Sequence, residues 1–198
     1  FPMHSELDGF GTAISPAGDF DGDGASDFVV LAPGEDSPAA FDSTVFANPA
    51  DCPQSRGNSG AAWFFLGGDG MPSAPSFVWF GRQSNAAIRR VAGPLDWNGD
   101  GLDDLVFSEP GYSADGPNNR GAVFVLFGRT RDPAGVHVIC APDVQLEGLR
   151  ANDQLGSAIA PLGDLDADGC DDLAVGVPGE DFAGSNGGSL KIFFGAGG

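Results

Sequence analysis

The chain has 198 residues, 41% of them hydrophobic, which is enough apolar surface for a core and too much for a disordered acidic tail. Nine Lys and Arg stand against 28 Asp and Glu, a formal net charge of −19. That balance excludes binding to a nucleic-acid backbone and adsorption to anionic membranes, both of which need clustered basic side chains.

No apolar stretch reaches the ~18 residues that a membrane-spanning helix needs, and no cleavable leader is recognisable, so no membrane insertion is expected. The start at Phe1 suggests a trimmed or mature chain.

In chain order, Phe10-Gly11 comes first, nine positions ahead of the acidic loop DFDGDGASD, Asp19 to Asp27. The apolar run Phe28 to Leu31 follows and is stopped at Pro33-Gly34; its length and its Pro-Gly end read as a strand. A long polar connection, Asp36 to Ser59, leads to the glycine-bounded strand GAAWFFLG from Gly60, and then to Phe77-Val78-Trp79-Phe80.

The pattern then recurs. A second loop, DWNGDGLDD, runs from Asp96 to Asp104 and a third, DLDADGCDD, from Asp164 to Asp172. Each is followed 14 positions after its first aspartate by Pro-Gly (Pro33, Pro110, Pro178), and later by a strand between two glycines, from Gly60, Gly121 and Gly188. Leu155-Gly156 opens the third copy as Phe10-Gly11 opens the first, whereas the middle copy has Ala87-Ile88 at the equivalent distance and breaks the pattern. Successive loops begin 77 and 68 residues apart, with about four short strands between equivalent points, which suggests one four-stranded sheet per repeat.

The shared loop is D-x-[DN]-x-D-G-x-x-D. Positions 1, 3, 5 and 9 carry carboxylate or amide oxygens, position 6 is glycine and position 7 offers its backbone carbonyl. An all-oxygen cage suits a hard cation, and calcium, with six to eight ligands in flexible geometry, fits better than magnesium. The EF-hand loop opens in the same way but closes with a glutamate at its twelfth position on a helix; here the run closes at position 9 and enters a strand. Extracellular modules hold calcium at about 10⁻⁴ to 10⁻³ M, so a secreted or surface location is expected.

With these residues in view the chain resembles the FG-GAP repeat family, best known from integrin alpha chains. The resemblance implies an all-β fold: a β-propeller of four-stranded blades, three of them here, at approximately 7–82, 83–146 and 147–198 within a single region 1–198. It implies three calcium sites. The ligands carried over are Asp19, Asp21, Asp23, the Ala25 carbonyl and Asp27; Asp96, Asn98, Asp100, the Leu102 carbonyl and Asp104; and Asp164, Asp166, Asp168, the Cys170 carbonyl and Asp172. Asn98 replaces a charge, so the middle site is expected to be weaker unless Asp103 supplements it. Three blades do not close a ring, which takes about four to eight. The chain is therefore expected to be part of a longer propeller or half of an assembled ring, a homo-oligomer for example of two chains.

The connection from Gly34 to Gly60 spans 26 positions, against 10 and 9 in the other copies, and long connections are often functional. Phe41, Phe46 and Arg56 within it are the candidate ligand-binding residues for a protein or glycan partner. By resemblance this connection lies on the face opposite the calcium loops. The leading function is an extracellular adhesion or binding module with structural calcium; the alternatives are a self-assembling scaffold and an accessory or catalytic module of a secreted enzyme.

No enzymatic activity is expected of the chain itself. His4 and His137 lie in no catalytic or zinc spacing, Ser59 reads as a loop residue, and Glu35-Asp36 and Glu180-Asp181 follow equivalent turns, as a repeated structural feature would. Trp63 and Trp79 read as core, and Trp97, like Phe20 and Leu165 at loop position 2, as apolar support beneath the cage. Cys52, Cys140 and Cys170 allow one disulfide and one free thiol, and a thiolate ligand at Cys170 is not expected.

Overall fold

Short apolar runs rich in Val, Phe, Leu and Trp, each cut off by glycine or Pro-Gly, cannot extend into helices, and each becomes a strand. The computed structural model describes residues 9–37, 46–47, 57–68, 70, 72–85, 87–113, 118–131, 136–181 and 187–197. Among them every regular element is a strand: β1 (Ala13–Gly18), β2 (Asp27–Ala32), β3 (Phe46–Ala47), β4 (Ala61–Phe65), β5 (Phe77–Phe80), β6 (Arg90–Leu95), β7 (Asp104–Glu109), β8 (Ala122–Leu126), β9 (Val136–Ile139), β10 (Val144–Glu147), β11 (Ala158–Gly163), β12 (Asp172–Val177) and β13 (Ser189–Phe193). No helix there is long and apolar enough to cross a membrane.

The strands form three sheets, ordered β1-β2-β4-β5-β9-β3, β10-β8-β7-β6 and β11-β12-β13. The fold is all-β, three propeller-type blades without a closed ring. Each blade is an antiparallel meander whose first hairpin is the acidic loop, with a register shift just before it, between Pro16 and Gly18, Ala92 and Leu95, and Pro161 and Gly163.

The blades are not uniformly four-stranded. β9, from the segment between β8 and β10, pairs in parallel with the outer strand of the first blade, Phe77 opposite His137 and Trp79 opposite Ile139. β3 then adds to β9, so the first sheet has six strands. The unpaired edge of β5 accepts a strand from its neighbour, which staples blades one and two together.

The middle repeat is less irregular than its sequence suggests. Arg89 N–H donates to Ser108 C=O as Gly11 N–H does to Leu31 C=O and Gly156 N–H to Gly176 C=O. Ile88-Arg89 therefore fills the opening slot, one residue closer to its strand, and Ile88 is fully buried like Leu155.

Two apolar seams join the blades. In the first, Val29, Leu31, Phe64, Phe77 and Trp79 meet Leu105, Phe107, Phe124 and Leu126. In the second, Val106, Val123 and Val125 meet Leu173, Val175 and Val177. A separate cluster packs Trp63, Val78 and Phe80 against Val136 and Val138 of β9. Strands β7 and β8 are buried on both faces, while β13 alternates. The third-strand positions that are buried as Ala62 and Phe64 in blade one, and as Val123 and Val125 in blade two, are Leu190 and Ile192 in blade three, 67% and 42% exposed.

The same difference corrects the expectation for loop position 2. Phe20 and Trp97 are buried, but Leu165 is 57% exposed, because no described residue of a following blade covers it. Trp63 and Trp79 are core residues as expected.

Candidate metal centres

Each acidic loop closes on itself through one repeated set of backbone-to-side-chain hydrogen bonds. In the first, Gly24 N–H donates to Asp19 Oδ2 (3.0 Å), Asp23 N–H to Asp21 Oδ1 (3.3 Å), Ala25 N–H to Asp23 Oδ1 (2.8 Å) and Phe20 N–H to Asp27 Oδ2 (2.8 Å). In the second, the bonds run from Gly101 to Asp96 Oδ2 (3.0 Å), Asp100 to Asn98 Oδ1 (3.0 Å), Leu102 to Asp100 Oδ1 (2.8 Å) and Trp97 to Asp104 Oδ2 (2.9 Å). In the third they run from Gly169 to Asp164 Oδ2 (3.0 Å), Asp168 to Asp166 Oδ1 (3.3 Å), Cys170 to Asp168 Oδ1 (2.9 Å) and Leu165 to Asp172 Oδ2 (2.8 Å).

Such tight turning needs left-handed backbone at positions 4 and 6. Gly22, Gly99 and Ala167 hold position 4 at φ 76°, 70° and 63°, and glycine holds position 6 throughout. Ala167 alone carries a Cβ there, a conformation that costs roughly 1–2 kcal/mol outside glycine. Ala167→Gly is expected to raise stability by about 0.5–1 kcal/mol, after allowing for the freer unfolded chain. Urea denaturation checks this, and a loss of stability would contradict it.

Position 9 is a structural clamp as well as a candidate ligand. Its second oxygen accepts the N–H of the glycine that ends the third strand: Gly67 to Asp27 (2.7 Å), Gly128 to Asp104 (2.7 Å) and Gly195 to Asp172 (3.0 Å). All three aspartates are buried.

Oxygen atoms of Asp19, Asp21 and Asp23 lie within 4.8 Å of one another, as do those of Asp164, Asp166 and Asp172. In the middle loop Asn98 Nδ2 donates to Asp100 Oδ2 (2.9 Å), so the amide both supplies an oxygen and ties down its neighbour. Ala25, Leu102 and Cys170 stand at position 7 with their N–H groups bonded to position 5. Asp103 does not turn toward the middle cage: its Oδ2 accepts the Asp19 N–H of the first blade (2.7 Å).

The electrostatics are unfavourable for bare carboxylates. Burial pushes the Asp104 carboxyl up to about 7, although Gly128 and Trp97 N–H groups oppose the shift. Burial also raises Asp27, and burial together with Asp23 raises Asp21. Asp19 Oδ1 and Asp21 Oδ2 are buried without a hydrogen-bond partner, an arrangement that is costly unless something positive sits against them. Hard, oxygen-only donors with unmet buried oxygens fit a divalent cation such as calcium.

Two of the remaining candidates, Glu35 and Glu180, take structural roles. Trp63 Nε1 donates to Glu35 Oε2 (2.8 Å), and at the equivalent strand position Lys191 Nζ bonds Glu180 Oε1 (2.8 Å), so both glutamates pin the third strand of their blade. His137 lies in β9 and Ser59 is buried. Cys140 is disulfide-bonded, while Cys170 keeps a free, buried thiol that burial and then Asp168 push up. Phe46 belongs to β3; Phe41, Arg56, His4 and Cys52 lie outside the described residues.

Fold and loops together define a propeller-type module whose blades are each closed by an acidic oxygen cage. Residues 90–126 and 155–193 match the FG-GAP repeat, so the chain contains FG-GAP repeats, and it is similar to integrin alpha chains. It is 38% identical to human integrin alpha-IIb over 120 residues, 58% of this chain and 11% of that protein. It is 35% identical to mouse phosphatidylinositol-glycan-specific phospholipase D over 106 residues, 54% of this chain and 12% of that protein. The Dictyostelium discoideum protein of the same name is 24% identical over 184 residues, 89% of this chain and 19% of the relative. The aligned stretches thus span only about a tenth to a fifth of these relatives. The first blade, with its long connection, falls outside the matched repeats yet has the same loop geometry.

Sequence reasoning missed the position 9 clamp and the turn of position 8 toward the neighbouring blade. A signal existed for the first, since each third strand runs between two glycines at one spacing (Gly60 and Gly67, Gly121 and Gly128, Gly188 and Gly195); the second depends on which blade lies alongside.

Proposed function

We propose that the chain is a calcium-stabilised propeller module that acts outside the cell or at its surface as a binding or adhesion unit, with calcium structural. The observation that carries this reading is the pair of unpartnered buried oxygens on Asp19 and Asp21, inside a loop whose hydrogen-bond set recurs twice more. Calcium would be held by the side chains at positions 1, 3, 5 and 9 and the carbonyl at position 7 of each loop, and would supply the positive charge that these crowded carboxylates lack. The similarity to integrin alpha chains supports a surface or extracellular setting, and a protein or glycan partner engaged through the first-blade connection (Phe41, Phe46, Arg56) fits a module of this kind.

A second reading follows from the phospholipase D relatives: a module of a secreted enzyme. The roles of Glu35 and Glu180 as strand pins favour a non-catalytic part in it. Calorimetric titration of the chelator-treated protein with calcium is expected to report three sites, the Asn98 loop weakest. Absence of heat and of any stability change up to 10-fold above ~10⁻³ M, the weak end for extracellular modules, would refute the calcium reading.

A further inference from the structure

The two seams between blades are joined at their loop ends by the same three hydrogen bonds. In the first, Asp103 Oδ2 accepts Asp19 N–H (2.7 Å), Asp103 N–H donates to Asp19 C=O (3.3 Å) and Arg129 N–H donates to Phe20 C=O (2.8 Å). In the second, Asp171 Oδ2 accepts Asp96 N–H (3.0 Å), Asp171 N–H donates to Asp96 C=O (2.7 Å) and Ala196 N–H donates to Trp97 C=O (3.1 Å). Position 8 of one loop thus grips position 1 of the loop before it, through both the N–H and the C=O of that residue.

Position 1 is a cage residue. Asp19 Oδ2 and Asp96 Oδ2 each accept an N–H from position 6 of their own loop, and Asp19 Oδ1 is one of the buried oxygens without a partner. The backbone beside Asp19 is shaped for the grip. A Cβ on Gly18, at φ 64°, would lie 2.0 Å from Asp103 Oδ2. Gly163 keeps the same left-handed turn in the third blade, at φ 69°, with nothing within 4 Å. Asp164 N–H has no position 8 partner among the described residues, and the first loop has Ser26 rather than an acid at position 8.

We propose that Asp103 and Asp171 are positioning residues that couple cation binding in one blade to the seating of the next, without being ligands themselves. This rests on the calcium reading of the loops. A carboxylate bonded to the position 1 amide fixes the peptide from which a ligand side chain hangs, as outer-shell partners do at other metal sites. The coupling is reciprocal: an ion in loop one strengthens the first seam, and a seated second blade tightens loop one. Loops one and three carry the same four aspartates, so the difference in grip sets loop one tighter than loop three.

The test is hydrogen–deuterium exchange followed by mass spectrometry across a calcium titration, on the intact chain and on Asp103→Ala, Asp103→Asn and Asp171→Ala. Asp103→Ala is expected to move the calcium midpoint for protection of residues 19–27 about tenfold higher while leaving residues 96–104, where the substitution itself sits, within about twofold. Asp103→Asn keeps an acceptor oxygen and is expected to recover most of the shift. Asp171→Ala should move residues 96–104 and spare 19–27. Asp103→Ala that weakens its own loop instead, or both loops equally, or neither while the wild type still responds to calcium, overturns the coupling alone. A wild type without calcium-dependent protection overturns the calcium reading with it. If Asp103→Ala does not fold, Gly18→Ala carries the test, with Asp103→Asn as the control expected to stay near the wild type: the Ala side chain must displace the Asp103 carboxylate and shift loop one selectively, and an unchanged or unselective midpoint in Gly18→Ala overturns the proposal.

Discussion

Chelation is expected to lower the melting temperature by about 15–30 °C. A site held at one hundred times its Kd contributes about 2.7 kcal/mol, so three independent sites approach 8 kcal/mol, against a total stability of about 5–15 kcal/mol for a domain. Each kcal/mol corresponds to roughly 2–4 °C at this chain length. Without the ion, crowded carboxylates repel and the buried oxygens of Asp19 and Asp21 go unmet.

The pH dependence should distinguish the two states. Burial holds the Asp104 carboxyl at about 7 in the metal-free fold against 3.8 for the ordinary group. Between those values the native state binds the extra proton, so metal-free stability falls as pH rises from about 4 to about 7. Asp21 and Asp27 are raised and act in the same sense. Glu180, lowered chiefly by its hydrogen bond from Lys191, acts in the opposite sense, but its contribution is lost only as pH drops below the ordinary 4.5. Calcium requires ionised ligands, so the gap between loaded and chelated protein should widen from pH 4 to pH 7. Scanning calorimetry in chelator and in calcium across that range checks both statements. Equal melting with and without chelator at pH 7 would contradict the first, and chelated protein that stabilises with rising pH would contradict the second.

Phe107→Ala should cost about 3–5 kcal/mol, the range for deleting a large buried aromatic side chain. Phe107 is fully buried in the first seam, its ring 6.0 Å from Phe64 and 5.2 Å from Trp79 across the blade boundary. The effect should appear in urea denaturation with calcium present. Ile192→Ala, at a side chain 42% exposed on the third blade, should change stability by less than about 0.5 kcal/mol. A Phe107→Ala loss below ~1 kcal/mol would mean that the aromatic seam is not what holds the first two blades together.

Much of the architecture could be read from spacing. The three loops, the Pro-Gly stops and the glycine-bounded strands repeat in register, and each lies in the expected place within its blade. The Phe-Gly opener misled at the middle copy because a one-residue deletion hides there: Ile88-Arg89 satisfies the slot that counting assigns to Ala87-Ile88. The four-stranded meander is present in blades one and two, but the spacing did not reveal that β9 would join the sheet of the neighbouring blade. Nothing in Val136–Ile139 by itself says which edge it will meet.

The linear chain determined whatever is local: carboxylate spacing, glycines at left-handed positions and short apolar runs between turns decide the shape and chemistry of each loop within nine residues. Tertiary structure alone decided what lies between blades. Position 8 aspartates read as further acids in an acidic loop until the preceding blade brings its position 1 amide within 2.7 and 3.0 Å. Likewise the same third-strand positions are buried in blades one and two and exposed in blade three. The physical reason is that a strand's two faces are set by its own residues, whereas their burial and hydrogen-bond partners belong to the sheet packed against them.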